Sequence, residues 1–194
     1  MIIFDNTFSD PFTIRSCALK QEYTRSNVDY YPGFRGDVPE FIASQYRRIV
    51  SSRVNEDLKI KSINFYYCDE SWLEGACHYD DSKYTCLTFL NPASRPHTGI
   101  EIYDEKYCSE KYHRIKDDFS PDRIKYYNDR KNFFKKKRFR SKLRKYNSNF
   151  EDPCIAANRF NRTVFFDSHL YHRPQDYFGD DVSNSRLILI SFFI

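Results

Sequence analysis

Apolar and polar side chains alternate through much of the second half of the chain. This period of two is typical of β-strands that bury one face. Six stretches have this character, and the last two are the richest in β-branched and aromatic residues: 59–67, 77–80, 85–90, 99–103, 162–166 and 186–193. The pattern predicts a β-rich second half.

Helical spacing dominates the first half. Asp10 followed by Pro11 is a favourable helix start, so we expect a helix over residues 12–23. Apolar residues three and four positions apart predict a second helix over residues 38–50. Residues 104–148 are strongly charged, and we expect them to be at least partly helical.

Helices followed by strands indicate a mainly β protein with flanking helices, in the α+β class. An antiparallel barrel or a double-sheet jelly roll is the expected core. The composition agrees, because 18% of the residues are aromatic and only five are glycine. The length of 194 residues suits one domain over residues 1–194, with a charged insertion at about 104–150.

The chain carries no signal for a membrane or for secretion. No apolar run is long enough to cross a bilayer, and residues 1–6 lack the basic and apolar regions of a signal peptide. The six cysteines are scattered without a CxxC pair. We therefore expect reduced thiols and a cytoplasmic protein.

A basic segment, Arg130–Lys145, holds ten basic residues and no acid, although the whole chain carries a net charge of only +4. Phenylalanines between the cations could allow contact with nucleic acid. The interpretation that we favour is an amphipathic helix that packs Phe134, Phe139 and Leu143 on the core. A lid over an acidic substrate is a third interpretation.

The candidate chemistry begins with His78 and Asp80. Side chains two positions apart on a strand point to the same face, so the two can share a metal ion. His172 is the candidate third ligand, and two histidines with one carboxylate leave open positions that suit non-haem iron(II). His169 competes with His172 for this role. The alternative for the pair is a surface strand with a polar face.

Arg186 opens the apolar strand 186–193. A buried guanidinium needs an anionic partner, and its planar fork suits a carboxylate. An exposed arginine or a structural ion pair is the alternative.

The order His78-x-Asp80, His172, Arg186 resembles the 2-oxoglutarate and iron(II) dependent dioxygenases of the double-stranded β-helix class. The prolyl-hydroxylase-like small bacterial and phage members are the most similar in local sequence. The strings that carry the resemblance are 5–8, 31–35, 85–91 and 165–172, and the likeness extends over nearly the whole chain outside 104–150.

The resemblance implies an enzyme in which His78, Asp80 and His172 bind iron(II) and Arg186 binds the distal carboxylate of 2-oxoglutarate. The expected reaction oxidises a C–H bond, as in hydroxylation of a protein side chain or a small metabolite, and releases succinate and carbon dioxide. Asp80 argues against halogenation, because halogenating relatives usually lack this carboxylate.

One departure from the family concerns Phe89, which stands near a position where some relatives use tyrosine to bind the co-substrate. A second donor must then come from Thr85, Tyr66 or Tyr67. Two further hypotheses are a metal hydrolase that uses the same ligands with zinc, and a non-catalytic jelly roll that binds nucleic acid through the basic segment. Arg186 favours the oxygenase, because a hydrolase has no evident need for it.

Overall fold

The computed structural model of the protein describes residues 1–25, 32–93, 95, 97–129 and 132–194, without the side chains of residues 129 and 133. Four α-helices are α1 Pro11–Leu19, α2 Glu40–Val54, α3 Glu110–Asp129 and α4 Phe133–Asn147. Ten strands are β1 Ile2–Phe4, β2 Thr24–Arg25, β3 Phe34–Gly36, β4 Ile60–Cys68, β5 Tyr84–Phe89, β6 Ile100–Ile102, β7 Cys154–Ala156, β8 Thr163–Asp167, β9 His172–Pro174 and β10 Arg186–Phe193.

The strands form two antiparallel sheets. The larger sheet has the order β1-β8-β5-β10-β4-β3-β2, and the smaller has the order β7-β6-β9. Apolar side chains of both sheets meet in one cluster: Leu87, Phe89, Ile100, Ile102, Ala156, Val164, Phe166 and Ile188. The fold is a double-stranded β-helix, and the predicted α+β class with a jelly-roll core is confirmed.

Helices α1 and α2 cover the outer face of the larger sheet. Side chains one position away from the inner cluster, such as Cys86, Leu187 and Leu189, pack against Ile42 and Tyr46 of α2. Alternation along each strand therefore divides the side chains between the helices on one face and the cavity between the sheets on the other.

Several element bounds differ from the sequence prediction. The first helix ends at Leu19 instead of residue 23, and α2 continues to Val54, where Asn55 adopts a left-handed conformation that ends it. Residues 34–36 form β3, a strand that the sequence pattern did not predict. Tyr31, at the start of the string 31–35, lies outside the described residues.

The expectation of a strand over residues 77–80 is wrong. Only His78 pairs, through an isolated bridge to His172. The neighbouring amide of Asp80 instead donates to the carbonyl of Ser168. The two residues are therefore aligned by separate backbone contacts.

The charged segment forms the hairpin of α3 and α4. Phe139, Leu143 and Tyr146 of α4 are buried, and the ring of Phe139 stacks on Tyr126 of α3 with centroids 4.2 Å apart. Phe134 is 82% exposed. Burial of Phe139 and Leu143 agrees with the amphipathic interpretation, but the expectation that Phe134 packs on the core is wrong. Arg130 and the side chain of Phe133 lie outside the described part.

Within the described residues, no helix is both long enough and apolar enough to cross a membrane.

Candidate metal centre

His78, Asp80 and His172 lie together at one end of the cavity between the sheets. Their ligand atoms all lie within 4.8 Å of one another. Nε2 of His172 is 3.2 Å from one carboxylate oxygen of Asp80, and Nε2 of His78 is 3.8 Å from the other. The three side chains are therefore close enough to bind one ion.

Backbone hydrogen bonds bring the two histidines together. The amide of His78 donates to the carbonyl of His172 at 2.9 Å, and the amide of His172 donates back at 2.7 Å. Their rings consequently lie side by side, with centroids 4.5 Å apart.

The other ring nitrogens fix the orientation of both imidazoles. Nδ1 of His78 lies 2.9 Å from the carbonyl of Ala76, and Nδ1 of His172 lies 2.8 Å from the carbonyl of Leu170. A carbonyl only accepts, so each Nδ1 carries the proton and each Nε2 presents its lone pair to the centre. This is the tautomer that a metal ligand needs, and the donor set of two imidazoles and a carboxylate suits iron(II).

Hydroxyl groups hold the carboxylate. Thr85 donates to Asp80 at 3.1 Å, and its Oγ1 also lies 2.8 Å from the Oγ of Ser168, which contacts Ser82. Burial disfavours the charged form of Asp80 and raises its pKa. The interactions with His172, His78 and Thr85 have the larger effect, and together they lower the pKa of Asp80 to about 2. Asp80 is therefore ionised at neutral pH, as a metal ligand must be.

His78 is kept neutral. Burial, followed by the neighbouring His172, lowers the pKa of His78 to about 4, and the charge of Arg123 contributes in the same direction. Neutral imidazole is the form that coordinates a metal.

Arg186 lies further along the cavity and is only 2% exposed. Its Nε donates to the carbonyl of Thr98 at 2.9 Å, and one Nη donates to that of Gly99 at 3.4 Å. No carboxylate among the described residues forms an ion pair with it. Burial lowers the pKa of Arg186, so an anionic partner would stabilise its charged form.

Aromatic rings and a close backbone contact surround this arginine. The guanidinium carbon lies 5.3 Å from the ring centroid of Phe89 and 5.9 Å from that of Tyr177. Gly99, whose carbonyl accepts from Arg186, permits the close approach of β7, because a Cβ at this position would lie 2.1 Å from the carbonyl oxygen of Ala156.

One cavity contains both the triad and Arg186. We call it the inner cavity, and the side chains that line it include Tyr66, His78, Asp80, Thr85, Leu87, Ile100, His172, Tyr177, Arg186, Ile188 and Ile190. Leu87, Ile188 and Ile190 of this lining form an apolar passage between the metal end and the arginine.

The three suggested second donors occupy different positions. Thr85 and Tyr66 line the inner cavity. Tyr67 projects from the opposite face of β4 and packs against Tyr23 and Phe34, with ring centroids 5.0 and 4.9 Å apart. The sequence prediction that Tyr67 contacts the co-substrate disagrees with this placement, because adjacent residues of a strand point to opposite faces.

The remaining histidines lie outside the triad. The side chain of His169 is 65% exposed and contacts Asp167 at 3.1 Å. His97 is exposed, and the ring of His113 packs against Tyr79 with centroids 4.9 Å apart. The geometry therefore pairs His172, and not His169, with His78 and Asp80.

A second cavity adjoins the inner one, and helix α3 forms its far wall. We call it the α3 cavity. Its lining shares His78, Pro174 and Tyr177 with the inner cavity, and α3 contributes Lys116, Asp117, Ser120, Arg123, Ile124 and Tyr127. None of these helical residues is among the site residues predicted from the sequence, although four of them share helical spacing.

Three solved structures illustrate the similarity of this fold to those of known proteins. HygX from Streptomyces hygroscopicus, crystallised with nickel and 2-oxoglutarate, has 11% identity and a TM-score of 0.59, over 99% of this chain and 81% of HygX. A prolyl hydroxylase from Trichoplax adhaerens, in complex with a hypoxia inducible factor peptide, has 10% identity and a TM-score of 0.54. The match covers 100% of this chain and 82% of the hydroxylase. AviO1 from Streptomyces viridochromogenes Tue57 has 11% identity and a TM-score of 0.52. The match covers 98% of this chain and 87% of AviO1.

These likenesses show that the chain shares the fold of these three proteins. By sequence, the chain belongs to the Family of unknown function (DUF6445), whose model matches residues 1–193. A search of curated proteins finds no match.

Proposed function

We propose that this protein is an iron(II) and 2-oxoglutarate dependent oxygenase that hydroxylates its substrate. The observation that supports this most strongly is the inner cavity, which combines the triad of His78, Asp80 and His172 with the buried Arg186. A simple metal hydrolase would need the triad, but it would not need a buried cation that has no carboxylate partner in the described part of the chain.

Some residues of the site would bind the metal ion or the co-substrate, and others would position those residues. The Nε2 atoms of His78 and His172 and the carboxylate of Asp80 would hold the ion, while Thr85 orients the carboxylate. Arg186 would form a forked contact with the distal carboxylate of 2-oxoglutarate. Iron(II) with 2-oxoglutarate and dioxygen supplies the oxidising chemistry, in which the co-substrate becomes succinate and carbon dioxide.

The apolar passage has its own role. Leu87, Ile188 and Ile190 line the cavity beside the triad and the arginine. They exclude water from the co-substrate, which strengthens its contact with Arg186 because charges interact more strongly in a medium of low dielectric constant.

The test is anaerobic titration of the protein with iron(II) and 2-oxoglutarate. We expect a visible charge-transfer absorption band when both are present. His172→Ala should abolish the band and succinate release, whereas His169→Ala should retain them, because His169 is exposed. No band in metal-loaded wild-type protein would contradict the oxygenase, and loss only in His169→Ala would show that His169 is the ligand.

The cytoplasmic location, the single-domain organisation and the relation to bacterial and phage members stay predictions. The same holds for contact of the basic segment with nucleic acid.

A further inference from the structure

We infer that the α3 cavity binds an anionic group of the primary substrate, a carboxylate or a phosphate ester, through Arg123. The inference rests on the proposed function, because the α3 cavity shares His78 with the metal centre and is the adjoining space into which a substrate could extend. It adds a substrate class and a specificity-determining residue.

The first observation is the position of Arg123 on α3. Lys116, Ser120, Arg123 and Tyr127 are spaced by four, three and four residues, so they lie along one face of the helix. All four line the α3 cavity. Arg123 is therefore on the face that meets the metal centre.

The second observation is that side-chain contacts fix this face of α3 against residues 71 and 72. The ring of Tyr127 packs edge-on against the fully buried Trp72, with centroids 5.0 Å apart. The hydroxyl of Tyr126 donates to the backbone carbonyl of Ser71 at 2.7 Å. These contacts come one turn after Arg123, so they fix the direction in which its side chain leaves the helix.

The third observation is that Arg123 forms no hydrogen bond or ion pair with the residues that the structure describes. Its Nε is buried without a hydrogen bond, and no carboxylate among the described residues forms an ion pair with it. A partly buried guanidinium whose donors are unused gains free energy when an anion reaches it.

The other charges of the α3 cavity are largely compensated. Lys116 pairs with Asp117 at 3.0 Å, and Asp81 lies 3.9 Å from Lys61. Ser120 donates to the carbonyl of Lys116. The uncompensated charge at the α3 wall is thus the cation of Arg123, which favours a negative group over a neutral one.

The experiment measures binding of small probes to protein loaded with zinc(II) and 2-oxoglutarate, which cannot turn over. Two matched pairs are used: phenylacetate with phenylacetamide, and phenyl phosphate with phenol. We expect the wild-type protein to bind at least one anion about tenfold more tightly than its neutral partner. The preferred anion then distinguishes a carboxylate substrate from a phosphate ester.

Two variants connect this preference with Arg123. Arg123→Gln should remove the preference, while Arg123→Lys should retain part of it, because the charge remains but the forked geometry is lost. Lys125→Gln is the matched control, since it removes one positive charge from an exposed position on the same helix. It should leave the preference unchanged.

The outcomes separate this inference from the proposed function. An intact iron(II) and 2-oxoglutarate band in a wild-type protein that binds neither anion better than its neutral partner would overturn the inference alone. Equal losses in Arg123→Gln and Lys125→Gln would also overturn it, because the effect would then be the general charge of the helix. Absence of the band would contradict the proposed function itself.

Discussion

The metal centre lies between two walls that are built differently. The sheet wall consists of β5 and β10, where backbone hydrogen bonds in register place Leu87 opposite Ile190 and Phe89 opposite Ile188. The helix wall is α3, whose place is fixed by aromatic side chains such as Tyr126 and Tyr127. The sheet wall carries one buried cation, Arg186, among apolar side chains. The helix wall carries a row of polar side chains.

The difference suggests a division of tasks. Hydrogen-bonded strands tolerate few changes of geometry, which suits a co-substrate that must lie at a fixed distance from the metal. When a helix is held by side-chain packing, the residues on its cavity-facing side can be substituted without altering the geometry of the sheets. We therefore expect the sheet wall to determine the chemistry and the helix wall to determine the substrate.

The largest expected effect comes from Phe139→Ala, which removes the ring that stacks on Tyr126. Loss of a buried phenylalanine costs about 3–5 kcal/mol of packing free energy. Hydrogen exchange should show reduced protection in α3 and α4 with unchanged protection in β5 and β10. Phe134→Ala, at an 82% exposed position of the same helix, is the control. Equal loss of protection in the two helices and in β5 and β10 would show that the two walls are one cooperative unit.

A smaller effect is expected from Arg186→Met, which tests the sheet wall. Truncating one side of a buried charge contact costs about 2–5 kcal/mol, so affinity for 2-oxoglutarate should fall by at least about thirtyfold. Calorimetric titration of zinc-loaded protein measures this. Zinc affinity should be unchanged, and Arg123→Gln should keep its affinity for 2-oxoglutarate. A similar loss in Arg123→Gln would mean that the helix wall also holds the co-substrate.

The smallest effect is the pH dependence of the metal-free protein. Unfolded histidine titrates near pH 6.5, whereas burial and His172 lower the pKa of folded His78 to about 4. As the pH falls through this window, the unfolded chain takes up a proton that the folded chain does not, so stability falls by about 2–3 kcal/mol. Asp80, with a pKa lowered to about 2, adds a further loss below about pH 4.

Urea unfolding at several pH values checks this expectation. His78→Gln should flatten the curve between about pH 6.5 and 4, because the group that resists protonation is gone. His169→Gln, at an exposed position, should follow the wild-type curve. A wild-type stability that stays constant over the same window would contradict the origin that we assign to the effect.

The sheet wall was largely predictable from the sequence. The bounds of β10 agree with prediction, and β5 and β8 differ by about one residue, because each is a continuous β-branched and aromatic run. β7 was missed, since it has only three residues and two of them are exposed.

The residues of the metal centre were predictable from the sequence, but the backbone conformation that brings them together was not. The spacing of His78 and Asp80 suggested a strand, yet the pair is aligned by one bridge and one amide contact with residues distant in sequence. Such long-range pairing leaves no local pattern. Arg123 was missed for another reason: in a segment crowded with cations, only the helical spacing from Lys116 to Tyr127 distinguishes it.

The reciprocal hydrogen bonds of His78 and His172 have a consequence for the cost of building the site. The two residues are separated by about ninety positions, and closing a loop of that length costs on the order of 4 kcal/mol in chain entropy. The pairing uses only backbone amides and carbonyls, so the hydrogen bonds and packing of the chain itself offset this cost. Replacing either imidazole would therefore remove a candidate ligand atom without removing the bonds that bring the two segments together.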